Sequence, residues 1–176
     1  MHYKLTDEYI LNILGVKLFR IELTIDCKWG KIGDKGGFIE NESNLINAWV
    51  YGNAWVYGDA CVSGNARVYG DARVYGDAQV YGDACVSGNT RVYGDACVSG
   101  NTRVYGDAWV RSPLQIQGTK HFVNICAKGI LKIGCKTFSL QEWKDNFQSI
   151  GKSEGYSEEE ILEYGMYIDL AIKLNN

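Results

Sequence analysis

Valine recurs at every sixth position from Val50 to Val110 without a slip. Two residues before each valine stands Ala or Thr. Two residues after, from Gly52 to Gly106, stands glycine, followed by Asn or Asp. A period this strict fixes the architecture before composition is consulted. Within one unit, Ala-x-Val alternates sides as a short strand, with alanine and valine facing one way and x the other. The Gly-Asn or Gly-Asp step is a corner, because glycine tolerates positive φ and Asn or Asp bonds the local backbone. A three-residue strand cannot bury its own valine. Copies stacked at the strand spacing of roughly 4.8 Å bury all of them in one continuous core, which predicts a β-solenoid.

Asn65-Ala66-Arg67-Val68-Tyr69-Gly70 and its neighbours resemble the hexapeptide repeats of single-stranded left-handed parallel β-helices, and the resemblance covers positions 47 to 111. In that family three hexapeptides make one triangular coil. The run Gly36-Gly37-Phe38-Ile39-Glu40, with Asn44-Leu45 and Asn47-Ala48-Trp49-Val50-Tyr51-Gly52, is similar to small phage and prophage hexapeptide-repeat proteins, which carry the label transferase-like by analogy. The resemblance implies a homo-oligomer, with a trimer favoured, in the cytoplasm of a bacterial host.

An open solenoid exposes apolar ends and unpaired strand edges, so the flanks are expected to be caps. Residues 1–46 form an N-terminal β cap, with an alternating strand over Val16–Leu23 and turns from Gly30 to Gly37. Residues 47–112 form the left-handed β-helix. Pro113 has no N–H to continue a ladder and marks its exit. Residues 113–136 form a β-hairpin cap with its turn at Ala127-Lys128-Gly129, and 137–176 two helices, all as one compact unit. Ser139-Leu140-Gln141-Glu142 is a capping box ahead of a stripe of Leu140, Trp143, Phe147 and Ile150. Ser157 starts the second helix, whose stripe is Ile161, Tyr164, Ile168, Ala171 and Ile172. These stripes pack against the solenoid or make oligomer contacts.

Several classes are set aside. The net charge is −3 with no basic cluster, unlike a duplex nucleic-acid binder. No apolar run approaches a membrane span, and the acids of the first eight residues do not suit a signal peptide, so a cytoplasmic location is expected. The six cysteines show no CxxC pair and are expected to be reduced, with no metal site and no cofactor.

If three hexapeptides make a coil, residues 18 apart stack. Face one then carries Trp49, Arg67, Cys85 and Arg103 beside Tyr51, Tyr69, Ser87 and Tyr105. Face two carries Trp55, Arg73, Arg91 and Trp109 beside Tyr57, Tyr75, Tyr93 and Arg111. Face three, with Cys61, Gln79 and Cys97, is small and uncharged. Guanidinium forks phosphate and rings stack bases, so Arg67, Arg73, Arg91, Arg103, Tyr57, Tyr75, Tyr93, Trp55 and Trp109 are the candidate ligand-binding residues. The same side chains also suit plain ladder stacking.

Left-handed β-helix acyltransferases resemble the chain in fold but use a histidine base. The coils contain no histidine, and the chain has only His2 and His121. The γ-class carbonic anhydrases need three. No catalytic residue is assigned. The leading expectation is a non-enzymatic phage or prophage binding protein, in one version an anti-defence protein, that sequesters an anionic nucleotide-like ligand or a host protein on these faces or between subunits. An acyltransferase with His121 as base and a structural assembly module are the alternatives.

Overall fold

The structure is a computed structural model that describes residues 2–106, 108–109 and 111–175. The corner residue Asp107 and the last valine of the series, Val110, lie outside the described residues. Contacts divide the chain into two compact units, Met1–Ser112 and Pro113–Asn176, where the sequence reading treats four segments as one.

The first unit is a parallel β-solenoid of about four coils. Each hexapeptide supplies one short strand, and strands 18 residues apart pair in parallel: Trp55 with Arg73, Cys61 with Gln79, Arg67 with Cys85. Three stacked sheets result. Along each stack the backbone bonds run rung to rung, as from the Arg67 N–H to the Ala84 carbonyl at 3.0 Å and from the Tyr69 N–H to the Val86 carbonyl at 3.0 Å. The described valines of the repeat and the alanines and threonines two positions before them, up to Thr102 and Val104, are fully buried. Full burial of a valine stabilises by roughly 1.5–3 kcal/mol, and the gain exists only because the next rung covers it.

The corners carry their own ladder. Gly70 has φ +75° and stacks directly on Gly88 of the next coil. Beside the glycines, Asn53 Nδ2 donates to Asp71 Oδ1 at 3.5 Å and Asn65 Nδ2 to Asp83 Oδ1 at 3.1 Å, so two corner columns alternate Asn and Asp and bond across rungs. The third column stacks Asp59, Asp77 and Asp95, with no Asn between them. Carboxylates one rung apart, roughly 4.8 Å, repel. Asp77→Asn converts this column to the pattern of the other two and is expected to stabilise the chain by about 1 kcal/mol, raising Tm by about 2–4 °C. The gain should shrink in high salt, where exposed charges are screened. An unchanged melt at low ionic strength would contradict the repulsion.

The N-terminal segment is three antiparallel strands: β1 (Tyr3–Leu11), β2 (Lys17–Leu23) and β3 (Lys35–Ile39). β3 also pairs in parallel with Trp55–Val56, so β1, β2 and β3 extend one solenoid sheet to seven strands. The turns expected through Gly37 therefore end earlier. Gly30 and Gly33 have positive φ, but Gly36 and Gly37 lie within β3. Their lack of a side chain serves close approach: a Cβ on Gly37 would stand 2.5 Å from the Ala54 carbonyl oxygen and 2.6 Å from the Val50 side chain. The first coil accordingly begins with Phe38 and Ile39, ahead of residue 47. Above it Tyr3, Ile21, Leu23 and Trp49 join the valine core, and His2 stacks on Trp29 at 4.5 Å. Burial lowers the His2 pKa, which keeps the ring neutral as its Nε2 meets the Ala48 carbonyl oxygen at 3.2 Å.

At the other end the register slips. Arg91 pairs with Ala108 and Val92 with Trp109. A slip of one residue exchanges the faces of a strand. Trp109 thus packs against the core and Ala108 is exposed, the reverse of the expected arrangement. The physical reason is the open end of the last complete coil, which a large indole covers better than alanine.

The second unit is a four-stranded antiparallel sheet, Gln115–Gln117, Phe122–Ala127, Ile130–Ile133 and Lys136–Ser139, followed by α1 (Leu140–Ser153) and α2 (Glu158–Asn175). The capping box forms as expected: Ser139 accepts from the Glu142 N–H, and the Glu142 carboxylate accepts from the Ser139 N–H. Trp143 packs edge-on to Phe138, and its Nε1 donates to the Leu131 carbonyl at 2.8 Å, fixing α1 on the sheet. Gly151 admits Ile161 and Gly165 admits Phe147, where a Cβ would stand under 3 Å away, so α1 and α2 lie close. No helix among the described residues is long and apolar enough to cross a membrane.

Candidate functional site

The three outer faces hold the residues that the 18-residue spacing assigns to them, except Trp109 and the buried Trp49. Their side chains behave differently on each face.

Face two is closed on itself. Tyr57, Tyr75 and Tyr93 stack with centroids 5.0 and 5.1 Å apart and planes within 4° and 3° of parallel. Both sides of Tyr75 are therefore covered. The Arg73 guanidinium lies 4.1 Å over the Trp55 ring, covering that ring as well. Burial raises the Tyr57 pKa, so its hydroxyl stays neutral beside Arg73 and Arg91. Trp109 takes no part, being turned into the core. Both faces of Tyr75, the inner faces of Tyr57 and Tyr93 and one face of Trp55 are used by these contacts, each giving roughly 0.2–1 kcal/mol of sheet stability.

Face one is open. Trp49, Arg67, Cys85 and Arg103 occur in register, one per rung. Trp49 is buried at the base, in contact with His2, Tyr3 and Tyr51, and is not a surface ring. Arg67 and Arg103 are exposed, two rungs and roughly 10 Å apart. The rung between them carries only Cys85 and Ser87. This notch forms an open trough of about 500 Å³ lined by Tyr51, Arg67, Tyr69, Cys85 and Arg103. An adjoining trough of about 280 Å³ shares Tyr51 and Arg67 and adds Lys28, Trp29, Asn65 and Asp83. A hydrogen bond with Cys85 raises the Tyr69 pKa, and burial raises that of Tyr51, so both hydroxyls are neutral. The two troughs together hold Lys28, Arg67 and Arg103 beside three rings, Trp29, Tyr51 and Tyr69.

Lys28 and Trp29 were absent from the expected site. They belong to a short turn closed by the Cys27–Gly30 bridge. Nothing in their local pattern signals that the cap brings them beside Arg67. Lys28 Nζ bonds Asn65 and lies 4.4 Å over Trp29, which ties the cap segment to the coil corner.

On face three, Cys97 Sγ meets the Tyr81 hydroxyl at 3.4 Å, and burial pushes the Cys61 thiol up. Protonated thiols are poor nucleophiles and poor metal ligands.

His121, the base of the acyltransferase alternative, sits in the second unit. Its ring is exposed and lies 5.8 Å from Tyr156, while the Tyr164 hydroxyl donates to its carbonyl oxygen at 2.9 Å. The cavity beside it, among Ile133, Trp143, Ile161 and Ile168, measures about 40 Å³. Ligand pockets run to roughly 300–1,000 Å³, so this one has no room for an acyl-donor cofactor.

The repeats match the family model described as YdcK Beta solenoid repeat over residues 60–76, 66–81 and 78–94. All three matches start on the small residue of a hexapeptide, in phase with the strands. The coils thus carry a β-solenoid repeat. A comparison with curated proteins gives no match.

Proposed function

We propose that this chain is a non-enzymatic binding protein that sequesters an anionic, ring-bearing ligand of the nucleotide class in the face-one trough. The observation that carries the reading is the notch at Cys85 and Ser87, bracketed by Arg67 and Arg103 and flanked by Tyr51 and Tyr69, where Ser87 interrupts the column of tyrosines that on face two is continuous. Arginine forks donate to phosphate oxygens in bidentate geometry and the rings take a base by stacking. The similarity of the N-terminal run to phage and prophage hexapeptide-repeat proteins supports an anti-defence role in a bacterial host, with the ligand an anionic nucleotide signal. The same resemblance favours a homo-oligomer.

Isothermal titration with a panel of mono-, di- and cyclic nucleotides tests this, with inorganic phosphate as control. Arg67→Ala with Arg103→Ala should weaken nucleotide binding by about 100-fold or more, as expected for two charge-assisted pairs at roughly 1.5–3 kcal/mol each. Arg73→Ala with Arg91→Ala should leave it within about threefold, since on face two Arg73 covers Trp55 and the tyrosines stack on one another. Absence of heat with every nucleotide, or loss through the face-two pair alone, would sink the reading.

A further inference from the structure

α2 is apolar on two sides. Ile161, Tyr164, Ile168 and Ala171 are buried inside the second unit. On the opposite side Leu162, Met166, Leu170 and Leu174 recur every four residues and are 66 %, 64 %, 41 % and 62 % exposed. A helix with an exposed row of this kind marks an interaction surface. Its charges say what covers it. At 100° per residue, Glu159 and Lys173 fall on this same face, one at each end. Read along the helix, the face is Glu159, Leu162, Met166, Leu170, Lys173. From Glu159 to Lys173 the face is self-complementary under reversal: Leu162 and Leu170 lie four residues either side of Met166, and Glu159 and Lys173 seven, while Leu174 lies just beyond this stretch. Of the other acids of α2, Glu160 is engaged with Lys120 and Ser157, and Glu163 with Thr119 and Tyr167, while Glu158 and Asp169 are exposed at the edge of the row. Among the described residues Glu159 and Lys173 have no ion-pair partner.

We propose that this face binds the same face of a second copy, antiparallel, about a two-fold axis at Met166. Each Glu159 then meets the partner's Lys173, each Leu162 the partner's Leu170, and the two Met166 side chains meet on the axis. Antiparallel helix dipoles favour the arrangement, and a parallel pairing would set the acidic first turns side by side. The apolar row offers on the order of 400 Å² per copy, about half the area per partner of a standard interface, so the dimer should depend on concentration. The proposal does not rest on ligand binding by the coils.

Sedimentation equilibrium on the full chain, from micromolar to hundreds of micromolar, tests it. The unmodified protein should approach a dimer across that range. Met166→Glu should stay monomeric throughout, with unchanged circular dichroism because the site is exposed. Glu159→Lys and Lys173→Glu should each weaken association about tenfold, since each creates two like-charge contacts per dimer. The double variant Glu159→Lys/Lys173→Glu should recover to within about threefold of the original. Recovery in the double variant requires that the two charges face each other across the interface. A monomer at every concentration, a trimer, an assembly whose mass Met166→Glu leaves unchanged, or a double variant no better than the singles would overturn the proposal.

Discussion

Gly37→Ala is expected to cost about 3 kcal/mol or more. A Cβ at that position would stand 2.5 Å from the Ala54 carbonyl oxygen and 2.6 Å from a Val50 methyl. The carbonyl cannot retreat, because it accepts the Phe38 N–H at 2.9 Å, the bond that starts the parallel pairing of β3 with the coil. Relief therefore requires the cap sheet to lift from the first rung, exposing Val50, Ile39 and Ile21. Urea denaturation should show the loss, with a Tm lower by about 6–12 °C. Gly33→Ala provides the contrast. Its φ is +87°, but nothing lies within 4 Å of the added Cβ, so only the backbone penalty of about 1–2 kcal/mol applies. Equal costs at the two positions would mean that Gly37 serves conformation and not contact.

That contrast shows where the sequence was legible. The hexapeptide phase is a local, repeated signal, and it yielded the strand positions, the buried valines, the corners and the columns of outer residues 18 apart. Glycine is ambiguous. In Gly30 to Gly37 the same letter marks two turns and two points of close approach, and only the neighbouring chain distinguishes them. β1 was unrecognised because its acids and Lys4 mask the alternation, though it forms a long strand against β2. The site was half legible. Spacing placed Arg67 and Arg103 on one face but could not reveal that face two consumes its rings in stacking, because that depends on side-chain torsions. Lys28 and Trp29 reach the trough from a cap turn distant in sequence. On α2 the inner stripe is legible in the sequence and the outer one is not. An apolar row is expected once per helix, and the second row acquires meaning only when its exposure is seen.

Trp109 provides the second large effect, because the two possible orientations of one side chain predict different stabilities. A tryptophan outside the last rung would be a surface residue, and its truncation would change stability by less than about 0.5 kcal/mol. Turned inward, as found, it covers the end of the valine core beyond Val92 and is partly buried there. Trp109→Ala should then cost about 2–3 kcal/mol, less than full burial would imply because part of the ring remains in contact with solvent. In a solenoid each rung is held by its neighbours, so the loss should appear first as fraying of the last coil, with faster amide exchange at Tyr93, whose N–H donates to the Trp109 carbonyl at 3.0 Å. The indole Nε1 is buried without a hydrogen-bond partner among the described residues. An orphaned donor carries a penalty of roughly 1–3 kcal/mol, which phenylalanine would not incur. Trp109→Phe should therefore be neutral or stabilising while Trp109→Ala is costly, an ordering that ring burial and the stranded N–H together produce and that an outward ring, solvated at its edge, would not.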